Sequence, residues 1–302
     1  MKSYPKPIIT AADMIQKYQN ADLTIHDRQR AENALNEIGY YRLRGYSFHL
    51  YNKATKQFHP NTSFDQILSI YRFDEELRGI VFTMTCEIEV ALRVRICNAL
   101  LNTGDPLAYM DSSLCKDKEI FWKNLSSVSS EIARSSDVFI KHQYDFYDGQ
   151  IPMWAAVEVM SFGTLSKLLK NLKSDAASPN RAIAGYYSYT TGKGNRIVPN
   201  NDMLSSWTHS TVALRNICAH NARIYNRAFS AKPQLLIADQ QTPPPKFFGF
   251  YQALLAMKYL RPSDESWKSF MANLEALLNQ YAGSIEIARL NFPNDWKNHL
   301  SV

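Results

Sequence analysis

Residues 63–101 contain no proline, and Ile67, Ile70, Asp74, Leu77, Val81, Met84, Ile88, Ala91 and Leu92 recur there near the 3.6-residue spacing of one helix face. A helix of that extent is about 58 Å long. It exceeds the usual globular helix, so the remaining chain must be arranged along it, and Gly79 near its middle is where a kink is expected.

Helical signals continue on both sides. Thr10 followed three residues later by Asp13 reads as an N-terminal cap, and 26–38 continues as a second, polar helix. Further helices are expected over 119–134, 153–172, 202–226, 248–260 and 263–281. The aromatic stretch 46–59, with its turn-like centre at 52–56, suits one small hairpin, and 188–200 (SYTTGKGNRIVPN) reads as a surface loop. The fold class is therefore all-α. No repeat of solenoid period is present, and the chain is either one continuous bundle (1–302) or two lobes, 1–101 and 102–302, divided at the break over 102–106.

Composition narrows the class of protein. At 45% hydrophobic and 21% charged residues, with 11 Gly and 13 Pro, collagen-like and disordered chains are excluded. The longest uncharged apolar run, near 79–86, is too short to span a membrane, and the charged, proline-bearing start lacks the apolar core of a signal peptide. Cys86, Cys97, Cys115 and Cys218 are far apart and form no CxxC, so reduced thiols in the cytoplasm are expected.

The net charge of +6 is unevenly placed. Residues 38–64 carry Arg42, Arg44, Lys53 and Lys56 and no acid, interleaved with Tyr40, Tyr41, Tyr46 and Tyr51. Residues 203–238 carry Arg215, Arg223, Arg227 and Lys232, again without an acid. Such fields attract polyanions, and tyrosine faces can stack on unpaired bases; ordinary solvated faces explain them equally well.

Several familiar chemistries are excluded by motif. TTGKGNR is not a phosphate-binding Walker loop, because Lys193 is followed by Gly194, and there is no GxGxxG, GxSxG or HExxH. The histidines and cysteines show no metal-ligand spacing, so no metal or other cofactor is expected.

One constellation remains. On a helix over 202–226, Asn216, His220 and Arg223 stand at i, i+4 and i+7, with His209 and Arg227 extending the stripe and Arg215 flanking it. An imidazole beside guanidinium and amide groups, with no carboxylate nearby, suits cleavage of RNA by its own 2′-hydroxyl. The histidine moves the proton and the arginine holds the phosphate. A single imidazole supplies only base or acid, a shortage that a two-fold homodimer would remove.

The segment Arg215-Asn216-Ile217-Cys218-Ala219-His220 resembles the RNxxxH motif of HEPN-domain ribonucleases, and the chain as a whole resembles the Abi_2 (AbiD/AbiF-like) abortive-infection family. The resemblance runs through Lys6-Pro7, GYYRLRGY (39–46), Tyr71-Arg72-Phe73-Asp74 with Leu77-Arg78, EIEVALR (87–93), Pro152 and Trp154 leading to Ser161-Phe162-Gly163, LRNICAHNARIYNR (214–227) and Phe292-Pro293. It implies a HEPN-like helical bundle with additional helices, acting as a metal-independent endoribonuclease toxin in phage defence. It further implies a homodimer, and in some members restraint by a small non-coding RNA. By the same resemblance Arg215 and His220 are the catalytic pair, Asn216 positions them, Arg223 supports the phosphate, and Glu89 with Arg93 forms an accompanying pair. Arg227, His209, Arg42, Arg44 and Tyr41 are the further RNA-binding candidates, with RNA and not DNA as partner. Two departures stand out: Asn221 replaces a second histidine common in relatives, and Tyr225 replaces a tryptophan. The alternative from another class is a non-catalytic RNA-binding regulator or scaffold.

Overall fold

The computed structural model describes residues 8–190 and 194–302. The Lys6-Pro7 motif and Thr191, Gly192 and Lys193 of TTGKGNR lie outside the described residues. In chain order the α-helices are Ala11–Gln19 (α1), Arg28–Glu37 (α2), Tyr40–Ser47 (α3), Phe64–Leu101 (α4), Lys118–Ala133 (α5), Val138–Phe146 (α6), Met153–Val159 (α7), Phe162–Asn171 (α8), Pro179–Gly185 (α9), Asn201–Ala219 (α10), Phe250–Leu260 (α11), Asp264–Gln280 (α12) and Trp296–Leu300 (α13). The protein is all-α, with two very short antiparallel hairpins among the described residues. Tyr51–Asn52 (β1) pairs with Gln57–Phe58 (β2) inside the expected hairpin, and Tyr189–Thr190 (β3) pairs with Arg196–Ile197 (β4) within the stretch read as a loop.

The axis of the molecule is α4. Ser63 caps it by accepting the Gln66 N–H, and it continues through Gly79 without a break to Leu101, a rise of about 57 Å. Half of its residues, 19 of 38, are buried, because α3, α7, α9, α10 and α12 surround it on several faces. Helix α10 in turn packs against α4, α8 and α11. The buried set Trp207, Trp267, Tyr46, Tyr225, Tyr251 and Phe73 lies in one connected hydrophobic cluster drawn from the chain on both sides of the 102–106 break.

Two expected helices are shorter than their apolar pattern suggests. The 153–172 segment divides at Ser161, whose hydroxyl accepts the Thr164 N–H and starts α8, while the Ser161 N–H donates to buried Glu131. The 202–226 helix ends at Ala219. Asn221 takes a left-handed conformation (φ 51°), its N–H donates to Cys218 O at 3.0 Å, and Ala222 N–H donates to Ile217 O at 2.9 Å. This six-to-one closure terminates a helix, and asparagine tolerates it better than most non-glycine residues.

Candidate active site

The early end of α10 divides the expected stripe. His209 and Asn216 remain on one exposed helix face, seven residues or about 10 Å apart. His220 is the C-terminal cap residue, exposed, with no ring hydrogen bond or ion pair among the described residues. Arg223 and Arg227 follow the helix and so do not extend its stripe. Cys218, two residues before His220, turns to the core: it is buried, and burial pushes its thiol pKa up to about 12.

What pulls the chain out of the helix is Asp74, 150 residues away and fully buried on α4. Its carboxylate accepts the backbone N–H groups of Ile224 (3.0 Å) and Tyr225 (2.7 Å), the Tyr46 hydroxyl (2.7 Å), and a charged hydrogen bond from Arg78. These donors satisfy a charge that would otherwise be costly to bury. The Tyr225 ring is then fully buried, with its hydroxyl accepting the Glu286 N–H at 3.0 Å. Sequence reading placed Asp74 in the apolar stripe of α4, and an acid at such a position is the signal that it serves a buried partner.

Arg215 leaves α10 toward α4. Its Nε lies 3.7 Å from Glu89 Oε2, and its guanidinium lies 5.6 Å from the Phe82 ring centroid. A carboxylate therefore does stand beside this guanidinium, contrary to the acid-free reading. The pairing is invisible in the local sequence because Glu89 and Arg215 meet only when α4 and α10 pack. The other Glu89 oxygen accepts from Arg93, as the i, i+4 spacing anticipates, while Arg93 also donates to the carbonyl of Val157 near the end of α7. An arginine suits that position, where helix carbonyls lack partners. Glu89 is thus shared between two arginines, and the trio keeps a net charge of +1 with the Arg215 side chain 32% exposed. The Asn216 amide oxygen is 3.5 Å from Arg215 Nη1, at the outer limit of a hydrogen bond.

The N-terminal basic segment reaches the same end of α10. Arg42 donates from Nη1 to Asn221 O at 2.6 Å, a contact across 179 positions of sequence. Arg223 is half-buried: Nη1 donates to Gly45 O at 2.7 Å, its guanidinium lies 5.9 Å from the Tyr46 ring centroid, and desolvation lowers its pKa. Arg227 donates to Arg223 O at 3.2 Å. Tyr41 is 75% exposed, whereas Arg44 lies over the rings of Tyr40 and Phe48, two positions around α3 from Arg42. The structure therefore brings Arg42, Arg223 and Arg227 to the segment beginning at His220, while His209 stands apart along α10.

Chemically, this arrangement offers an accessible imidazole, an anchored but partly exposed guanidinium and an amide. Among the described residues no group of three or more His, Cys, Asp or Glu side chains is placed to hold a metal ion.

The family model described as Abi-like protein matches residues 33–226. The chain belongs to the Abi-like family. The matched region contains Asp74, Glu89, Arg93, Arg215, His220 and Tyr225, so both helices that build the site fall inside the Abi-like unit, while α11–α13 follow it. Searches of curated proteins and of solved structures give no match. Among the described residues no helix of this Abi-like protein is long and apolar enough to cross a membrane.

Proposed function

We propose that this Abi-like protein is a metal-independent endoribonuclease of HEPN type, acting in the cytoplasm as a growth-arresting toxin in abortive-infection defence against phage. The observation that carries the reading is the exposed His220 imidazole at the end of α10, five residues after Arg215, whose guanidinium Glu89 holds at the α4–α10 contact.

In this mechanism His220 takes the proton of a ribose 2′-hydroxyl as O2′ attacks the adjacent phosphorus. The P–O5′ bond breaks, leaving a 2′,3′-cyclic phosphate and a 5′-hydroxyl. The proton returns to O5′ from the imidazolium so formed, or from His220 of a second copy in a two-fold homodimer. Arg215 pairs with the non-bridging oxygens as charge develops on them, and Asn216 orients the approaching strand. DNA lacks the attacking hydroxyl and is not a substrate. Arg42 and Arg227, with Tyr41, bind the flanking RNA; His209, Arg44 and Arg223 belong to the wider basic surface. A small non-coding RNA on this surface would block the substrate path and hold the toxin in check.

The test is incubation of the purified protein with cellular RNA in EDTA. Cleavage that leaves cyclic phosphate ends and is abolished in both His220→Ala and Arg215→Ala supports the mechanism; equal cleavage by the His220→Ala protein overturns it. The exposed Tyr41 beside the Arg42 contact also suits a non-catalytic RNA-binding regulator. That second reading predicts co-purified RNA that stays intact and cellular toxicity unchanged by either substitution.

A further inference from the structure

A second basic site lies on a different face of α4. Arg95 is two residues beyond Arg93, about 200° around the helix, and so faces away from Glu89 and Arg215. It enters a cavity of about 150 Å³ bordered by Tyr187, Ser188, Trp207, Arg261 and Ser263. The guanidinium carbon lies 4.7 Å from the Tyr187 ring centroid and 5.3 Å from that of Tyr186. Nη2 donates to Pro262 O at 3.0 Å, but Nη1 is buried without a hydrogen-bond partner, and among the described residues no carboxylate pairs with Arg95. The Tyr187 hydroxyl, in a residue 4% exposed, lies within hydrogen-bonding reach of the Arg95 side chain, but neither it nor Nη1 completes a hydrogen bond of good geometry.

Two adjacent buried polar groups that form no well-aligned hydrogen bond are uncommon in a folded protein, since each lost partner costs roughly 1–3 kcal/mol. The remaining polar groups at this cavity are also donors or are neutralised. Among the described residues the one acid on its wall, Asp264, accepts from Arg261 Nε at 2.6 Å. The Ser188 hydroxyl accepts from Arg196 Nε at 2.8 Å, leaving its own proton to donate. Ser263 caps the 17-residue helix α12, so the positive end of that helix dipole adds to the field. The cavity is smaller than the few hundred Å³ that hold a whole drug-sized ligand.

We propose that this cavity binds a phosphate group. The planar fork of Arg95 pairs with two oxygens, the Tyr187 hydroxyl donates to a third, and Ser188 and Ser263 complete the shell. The ligand class is a phosphate monoester, either inorganic phosphate itself or the terminal phosphate of an oligonucleotide whose body lies outside the cavity, over the exposed Tyr186 ring. The site shares no residue with Arg215, Asn216 or His220, so it stands whether or not those residues cleave RNA.

The experiment uses the full-length protein at fixed ionic strength, with intrinsic tryptophan fluorescence, to which Trp207 on the cavity wall contributes, and the thermal midpoint as readouts. The probes are inorganic phosphate, a 5′-phosphorylated trinucleotide of 2′-deoxy sugars, and the same trinucleotide with a 5′-hydroxyl. Saturable binding of phosphate or of the phosphorylated trinucleotide is expected, weakened at least tenfold in Arg95→Gln and less in Arg95→Lys. Tighter binding of the phosphorylated trinucleotide than of phosphate identifies a nucleic-acid end as ligand; the reverse order identifies the free ion. Should Arg95→Gln fail to fold, Tyr187→Phe provides the second variant, with a several-fold loss expected. No saturable response of the wild-type protein up to ~10 mM of either phosphate probe, where a millimolar site would be mostly filled, overturns the proposal. So does equal binding of the 5′-hydroxyl trinucleotide, or unchanged binding in folded Arg95→Gln.

Discussion

Replacing Asp74 with asparagine removes one charge and almost no volume from a site where four donors converge. The asparagine carbonyl can still accept the Ile224 and Tyr225 N–H groups, now at 3.0 and 2.7 Å from one carboxylate oxygen. Its amide group, however, faces Arg78 and the Tyr46 hydroxyl, where a second acceptor is needed. Arg78 has a side chain only 5% exposed and would be left without its counter-charge. Breaking a buried pair in this way costs roughly 3–5 kcal/mol. The retained N–H contacts place the variant near 3 kcal/mol, a fall in thermal midpoint of about 6–12 °C. Urea unfolding, followed together by circular dichroism and tryptophan fluorescence, measures the difference where the two transitions coincide. The matched control is Glu119→Gln: its partner Lys123 and Glu119 itself are 70% and 78% exposed, so the change should fall within about 0.5 kcal/mol. Amide hydrogen exchange at Ile224 and Tyr225 should accelerate in Asp74→Asn well before global unfolding. A loss below about 1 kcal/mol would refute the view that Asp74 is the clamp holding the 220–227 segment.

Further outcomes follow from neighbouring groups. Burial, aided by nearby Arg289, lowers the His49 pKa to about 4 from the ordinary 6.5. The unfolded chain therefore takes up a proton that the folded one refuses, and stability falls as pH drops from about 6.5 to about 4 and levels off below. The loss should be about 1–2 kcal/mol once the ring's partial exposure is allowed for, and His49→Gln should flatten it in urea titrations at pH 7 and pH 4.5. At the left-handed Asn221, glycine should be neutral within about 0.5 kcal/mol and valine should cost about 1–2 kcal/mol, read from thermal midpoints. Glu89→Gln leaves Arg93 and Arg215 as two close cations without their shared anion. If Arg215 acts on RNA, kcat for cleavage should fall about ten- to a hundredfold with KM little changed, because a displacement near 1 Å is enough; unchanged kcat would remove Glu89 as a positioning residue.

The cluster around α10 also explains why the site was only partly legible in advance. The segment LRNICAHNARIYNR contains neither glycine nor proline, and its three asparagines, Asn216, Asn221 and Asn226, each tolerate a left-handed stop, so local preference does not select Asn221 over Asn226 as the end of the helix. The choice falls with a carboxylate on another helix, which accepts the amides of Ile224 and Tyr225 just beyond the Asn221 closure. The same applies to Glu89, whose i+4 partner could be read from spacing while its contact with Arg215 could not. The α3 helix is not apparent from its tyrosine- and glycine-bearing sequence, which has weak helical preference; packing on α4 compensates for that.

By itself the sequence determined what depends on neighbours within a few positions: the long proline-free α4 (though not its continuity through Gly79), the Thr10 capping box and the all-α class. Those follow from backbone hydrogen bonding and periodic apolar spacing, which are local. Tertiary structure alone decided where α10 stops, that Asp74 holds the chain beyond it, that Glu89 anchors Arg215, and that Arg42 reaches Asn221. Each of these is a polar contact between distant segments. Its strength comes from low-dielectric surroundings that exist only after the helices have packed.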